Sequence, residues 1–295
     1  MTEPASPAAA DAAPVANAAA PAAADEPGDS PLKLVRDLFI ILAVVIGIHT
    51  VIAKPFYIPS ESMMPILRNG DRLVVSKWPY GWSFSSVSFH LAPPFKGRLW
   101  GALPQRGDIV VLEHPDKRVD YIKRVIGLPG DIIEMRRGAL ILNGTPVKRE
   151  QQPTLAIPVD ANLPGDTSAF ASRIRIGEGG ERWIDVPIVR ETLPSGVSYD
   201  TIDLGPDYRN DDFGPYQVPA DHLFLMGDNR DGSADSRVAV ADQGFGGAVP
   251  FDVISGRAEV ITFSTDGTAV WYNPLSWISA LRSGRAGTNL RPDRN

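Results

Sequence analysis

Three short segments hold the residues best suited to hydrolytic chemistry. The first is Ile58-Pro59-Ser60-Glu61-Ser62-Met63-Met64-Pro65, where prolines fix φ on either side of a pair of hydroxyls. A loop stiffened in this way suits a nucleophile that must be pre-oriented, and it equally suits a polar turn. The second runs from Asp120 to Asp131, with Lys123 inside an apolar strand pattern and Tyr121 and Val125 on its own face. Most strand lysines point to solvent, whereas one held inside becomes a candidate base. The third runs from Gly227 to Arg237 and contains Asn229-x-Asp231-Gly232, a fragment of a calcium-loop pattern. Gly227 and Val238 would then stand where two essential oxygen ligands belong, which argues against calcium.

Other chemistries are excluded by composition. The 295 residues contain no Cys, which removes disulfides, thiolate metal sites and Cys nucleophiles. The four His (49, 90, 114 and 222) lack metal-ligand spacing, and no metal or other cofactor is expected. No Gly-x-Ser-x-Gly, His-Glu-x-x-His or P-loop pattern occurs. Ser30-x-x-Lys33 lies where the expected tail meets the anchor, with no helix of its own to pre-organise it, and reads as a chance match. A formal net charge of −6 argues against a nucleic-acid partner.

The elements that must position these residues fall into distinct blocks. Residues 1–30 hold 13 Ala, 5 Pro and 5 acids with no base or aromatic, a composition that cannot offset its own ordering entropy. An apolar run follows from Leu38 to Ala53. Counted from Leu32 it would rise about 33 Å as a helix, enough to span a bilayer if Lys33 and Arg36 snorkel. A buried core helix and a signal peptide cleaved near Val51-Ile52-Ala53 are the alternatives, and flanking charge does not set the orientation. Beyond the run, short β-branched segments alternate with Gly-Asp and Asn-Gly turns, as at 72–76, 108–113, 132–135, 139–142, 145–148, 221–226 and 253–263. Residues 78–100 carry seven aromatics, suited either to a membrane interface or to closing the β core. Residues 151–221 carry 12 acids and 5 bases with many Pro and Gly, and are expected to be short strands and turns facing water.

The expected organisation is thus a disordered tail at 1–31, a transmembrane anchor at 32–53, and a β-rich catalytic core built from 54–150 and 222–285. An inserted β subdomain occupies 151–221 and a C-terminal tail 286–295. The fold class is mostly β, with an N-terminal transmembrane helix before the catalytic domain. Without the tail and the acidic block, 24 bases face 18 acids, so the body is basic and matches anionic lipid headgroups, with the acidic parts held away.

Together, Ser60–Met63, Arg72–Ser76, Arg106–Val111, Tyr121–Asp131 and Gly227–Arg237, in that order after an anchor, closely resemble the bacterial type I signal peptidases. The resemblance runs from about Lys33 to Arg285. It implies Ser62 as nucleophile and Lys123 as general base, with Ser60 and the Ser62 N–H as oxyanion hole. It further implies that Ser233 orients the lysine, that Asp235, Arg237 and Gly227 brace that loop, and that Arg124 supports the site. Met63 would be an apolar pocket wall. The implied activity is a membrane-bound Ser/Lys endopeptidase that removes signal peptides from exported preproteins after Ala-x-Ala-like sites. Its implied location is the bacterial inner membrane, single-pass, with the catalytic domain on the periplasmic side. The chain departs from the family pattern in showing one span where some members have two, and in extra residues at 238–244. Competing readings are a Ser/Lys autoprotease of the SOS-repressor type and a non-catalytic anchored β module.

A Ser/Lys pair without histidine is physically reasonable. An ordinary lysine has a pKa near 10.4, and lowering it by about 3 units costs roughly 4 kcal/mol, which burial can supply. Ser62 lies nine residues beyond Ala53, so an extended tether would keep it within about 30 Å of the span.

Overall fold

Short apolar, β-branched runs bounded by glycine turns become strands throughout the chain. The computed structural model describes residues 30–51, 53–86, 97–114, 116–117, 119–164, 170–206, 208–270 and 272–292. The strands are β1 (Ala53–Tyr57), β2 (Asp71–Ser76), β3 (Ile109–Glu113), β4 (Asp120–Gly127), β5 (Ile132–Arg136), β6 (Ala139–Leu142), β7 (Thr145–Pro146) and β8 (Lys148–Pro158). They continue with β9 (Ile174–Ile176), β10 (Arg182–Thr192), β11 (Ser198–Ile202), β12 (Phe213–Gln217), β13 (His222–Met226), β14 (Val249–Pro250) and β15 (Ile254–Ser264). The domain is mostly β, in several sheets. A seven-stranded antiparallel sheet has the order β1-β2-β15-β3-β4-β13-β14, and a second has the order β12-β5-β6-β7. The third is β11-β10-β8, with β9 added on β10.

The hairpin signals form as read. Asn143-Gly144 and Arg137-Gly138 both adopt positive φ, as two-residue turns between twisted strands require. Along β3, Ile109 and Val111 pack into one core cluster and Val110 and Leu112 into another. The sheet is therefore covered on both faces, which is why β3 reads as a continuous apolar run.

The block 151–221 differs from expectation. In place of short strands, β8 and β10 are 11 residues each and pair along their length. Pro153 and Pro187 disguised them. The register shifts between Val186 and Ile188, so both prolines sit at a bulge where no ladder bond is lost. Phe213–Gln217 leaves this sheet and pairs with β5.

The N-terminal apolar run forms helix α1 (Pro31–Val51), whose described large apolar side chains from Leu32 to Val45 are exposed. The helix stops at Val51, and Ala53 already pairs with Ser76 in β1, so the expected span to residue 53 is shortened. Lys33, Arg36 and Asp37 confine the uncharged part to Leu38–Val51, about 21 Å of helix. Among the described residues no helix is long and apolar enough to cross a membrane. The chain divides into compact units at 1–42 and 43–295. Apart from Ser30 and Pro31, the expected tail lies outside the described residues.

The aromatic stretch divides between the two readings. Tyr80 is buried, donating its hydroxyl to Asp108 at 2.7 Å, whereas Trp78 and Trp100 are 73% and 85% exposed. Trp82 meets both edge-on, with centroids at 5.2 and 6.3 Å. Phe89 and Phe95 lie outside the described residues.

Residues 286–292, expected as a tail, lie along β15. Asn289 bridges to Val260, the Leu290 N–H donates to the Glu259 carbonyl at 2.9 Å, and the Leu290 side chain is 3% exposed. Leu290→Ala should cost about 2–4 kcal/mol of stability through the cavity it leaves. Chemical denaturation would measure this, and an unchanged midpoint would mean the segment does not pack there.

Candidate active site

The loop between β1 and β2 carries the Pro-bracketed serines. It is closed at its base by Ile58 N–H to the Asp71 carbonyl and Gly70 N–H to the Ile58 carbonyl, both at 2.9 Å. Met63 and Leu67 anchor it from below, in a cluster with Leu73, Val111 and Ala258. Met63 is therefore fully buried core, and the expected pocket-wall role is corrected. Ser62 is turned the other way, toward β4.

Lys123 stands on β4, opposite Val110 of β3. Its Nζ lies 2.8 Å from Ser62 Oγ, 3.0 Å from the Ile122 carbonyl and 5.4 Å from the centre of the Tyr121 ring. The residue is 2% exposed, and burial lowers its pKa to about 8 against the opposing pull of Asp235 and Asp228. An amine that is part-neutral near pH 7 can accept the proton from Ser62. Ser60 Oγ is 3.4 Å from Ser62 Oγ, on the solvent side of the pair. The extra residues at 238–244 reach the site through Tyr121, whose hydroxyl donates to the Gln243 carbonyl at 3.3 Å.

The third segment folds into the loop after β13 and is buried almost throughout. Asp235 accepts from Gly227 N–H at 3.0 Å and from Arg237 Nε and Nη2 at 3.0 and 2.8 Å. Burial pushes this carboxyl up, but the charge and hydrogen bonds of Arg237 prevail and leave it below the usual carboxylate range. Arg124 makes a bidentate pair with Asp228 at 2.7 and 2.6 Å and lies 4.3 Å over the Tyr199 ring. Ser233 does not make the expected bond to Lys123. Among the described residues its buried Oγ has no hydrogen-bond partner, and the lysine's described contacts run to Ser62 and Ile122. It remains close: a Cβ on Gly227 would come within 2.2 Å of Ser233 Oγ and 2.4 Å of the Ser62 carbonyl. Only glycine fits between them.

Sequence reasoning missed four contributors. Asp228 and Asn229 belonged to the pattern weighed and set aside as a calcium loop. Asn229 N–H in fact donates to the Ser62 carbonyl at 3.1 Å. Glu191 and Tyr199 lay in the acidic block read as facing away from the chemistry. Glu191 is instead buried against Arg230, and Tyr199 is buried beside it.

Comparison with known proteins gives the family of the chain. The family model described as signal peptidase, peptidase S26, matches residues 32–263. A signal peptidase I of Rickettsia typhi is 34% identical over 268 residues, covering 85% of this chain and 90% of the relative. That of Rickettsia prowazekii is 33% identical over 273 residues with the same coverage. Among solved structures, a signal peptidase I from Enterococcus faecalis matches at 25% identity and a TM-score of 0.27, covering 53% of this chain and 97% of the other.

The depressed lysine sets the sign of the pH dependence. If neutral Lys123 is the active form, a pKa of about 8 leaves about a tenth of it neutral at pH 7. Peptide cleavage measured as kcat/KM should fall about tenfold per pH unit below pH 7 and level off above about pH 8.5. A flat profile between pH 5 and 7 would contradict a lysine base.

Proposed function

The chain belongs to the signal peptidase, peptidase S26, family, and from that premise we propose that Ser62 is its nucleophile and Lys123 its general base. The protein is a serine endopeptidase that cleaves signal peptides from preproteins. The observation that carries the assignment is the 2.8 Å contact between Ser62 Oγ and a lysine buried enough to lose its proton near neutrality.

In this reading, neutral Lys123 takes the hydroxyl proton as Ser62 Oγ bonds to the scissile carbonyl carbon. The carbonyl oxygen becomes an oxyanion facing the Ser62 N–H and the Ser60 hydroxyl, donors in place before charge develops. The Lys123 ammonium then protonates the leaving amine, the C–N bond breaks, and the mature protein departs. The signal peptide stays as an ester on Ser62. A water that gives its proton to Lys123 attacks that ester and releases the signal-peptide carboxylate and Ser62. Ser233 Oγ is the group assigned to receive an N–H of Lys123 during this cycle. Asp235–Arg237 and Arg124–Asp228 hold the surrounding backbone, and Gly227 leaves room for it. Recognition of small residues in an Ala-x-Ala-like site is part of the same proposal.

The substrates also suggest the setting. We assign the apolar part of α1, Leu32–Val51, as a single membrane anchor of the inner membrane, with the catalytic domain on the periplasmic side and the lipid bilayer as its second partner. Supporting this are the exposed Leu38, Phe39, Ile40 and Ile41 of α1, which water would not favour. Trp78, Trp82 and Trp100 are placed at the headgroup level, where an indole is wet at one end and apolar at the other.

Ser62→Ala and Lys123→Met should each abolish cleavage of a purified preprotein while leaving the melting transition in place. Full activity in either would remove that residue from the mechanism. Membrane attachment is tested separately. The chain should resist extraction by alkaline carbonate, and brominated lipid should quench wild-type fluorescence more strongly than that of the Trp78→Ser/Trp82→Ser/Trp100→Ser variant. Release into the wash would count against the anchor, and equal quenching against the interfacial tryptophans.

A further inference from the structure

A continuous set of buried polar contacts joins Ser62 to the inserted sheet, and the mechanism above does not use it. Asn229 touches the nucleophile loop twice. Its N–H donates to the Ser62 carbonyl at 3.1 Å, and its Nδ2 to the Glu61 carbonyl at 3.3 Å. The Glu61 carbonyl and the Ser62 N–H belong to one peptide group, which is planar and trans, so they point in opposite directions. Whatever holds the Glu61 oxygen therefore aims the Ser62 N–H, and none of the described residues accepts that N–H. Met64 N–H reaches the same oxygen at 3.0 Å from within the loop, while Asn229 reaches it from outside.

Asn229 is held in turn from the far side. Ile202, the last residue of β11, donates to the Asp228 carbonyl at 2.8 Å and accepts from Arg230 N–H at 3.0 Å. The Arg230 guanidinium forms a bidentate pair with Glu191 of β10, both contacts at 2.6 Å, and Tyr199 donates its hydroxyl to the same carboxylate at 3.2 Å. The two charged side chains are 4% and 1% exposed. A buried fork-to-fork pair allows one arrangement of its backbones.

We propose that Asn229 and Glu191 are positioning residues for the oxyanion donor. Glu191 fixes Arg230, Arg230 fixes the backbone of Asn229, and Asn229 aims the Ser62 N–H. The inserted sheet is thereby a working part of the catalytic centre. The inference rests on Ser62 being nucleophile and oxyanion donor, and its test fails in a different way from that reading.

The test uses the full chain in detergent and a peptide bearing a signal-peptide cleavage site, with kcat normalised to titrated active sites. A peptide aldehyde serves as second probe, because its Ser62 hemiacetal places an oxyanion in the same hole. Asn229→Ala and Glu191→Gln should lower kcat about 10- to 100-fold, with KM changed by less than about threefold. Aldehyde affinity should fall in step, and the acid limb of the pH profile should stay where it is in wild type. Glu191→Asp should recover most of the loss. The Asn229→Ala/Glu191→Gln double variant should be no slower than the slower single one. Additive losses, a displaced acid limb, or unchanged aldehyde affinity would each overturn the proposal. If Glu191→Gln does not fold, Tyr199→Phe replaces it in the same cycle, and Asn229→Ala with wild-type kcat overturns the proposal alone. Cleavage by Ser62→Ala would instead overturn the underlying assignment.

Discussion

Removing an ammonium group from water disfavours its charge, and the desolvation of Lys123 is the condition on which the rest of this site is built. The condition is easily undone, because the nearby carboxylates Asp235 and Asp228 both pull the lysine back toward its protonated form. Each is tied to an arginine of its own, Asp235 to Arg237 and Asp228 to Arg124. A carboxylate in a close ion pair presents a weakened field to a third group. Buried pairs of this kind add little net stability, since desolvation of both ions offsets their attraction. Their value here is electrostatic: acids can brace the backbone beside the lysine without restoring its proton. The Glu191–Arg230 pair extends the same device one step further from the reacting atoms.

The sheet order explains why the loop that carries Ser62 must be long and stiff. Ser62 follows β1 and precedes β2, while Lys123 lies on β4, with β15 and β3 between β2 and β4. At about 4.8 Å per strand, the loop must carry Ser62 across roughly 14 Å of sheet. It can do so only if something holds it down along the way. Met63 and Leu67 supply that hold by burying their side chains against Leu73 and Val111. The alternation within Ser62-Met63 then separates tasks: one residue faces the lysine while the next is fastened in the core.

Much of this was legible in the sequence because it follows from local rules. A lysine flanked by apolar strand residues is a candidate for burial, and Asn143-Gly144 specifies its own turn. Ser60, Ser62 and Lys123 are brought together as the resemblance implied. What stayed hidden depends on contacts between distant segments. Nothing in the neighbours of Glu191 signals that one acid among twelve in its block would be buried rather than solvated. The many prolines of the block pointed to short strands, because the bulge that accommodates Pro153 and Pro187 exists only once β8 and β10 are paired. Ser233 shows the opposite limit. The resemblance gave it a partner, and the geometry leaves its hydroxyl close to the site but unbonded.

The inserted sheet also bears on how the two halves of the site meet. Arg124 and Asp228 are in contact although 104 residues apart in sequence. Closing a flexible loop of that length costs about 4 kcal/mol in chain entropy. Here much of the intervening chain is paired strand, with β8 and β10 antiparallel and β11 folded back on β10. That sheet delivers Ile202 directly to the backbone of Asp228 and Arg230. The segment that separates Lys123 from the loop bracing it is thus the segment that returns the chain to it. Even a small twist of β10 and β11 would move Glu191 and Ile202 together, and with them the loop that touches Ser62. Two 11-residue strands paired along their length, with β11 added on β10, hold Glu191 and Ile202 in one sheet, which gives the acidic block a physical reason to form long strands in place of the short strands and turns its composition suggested.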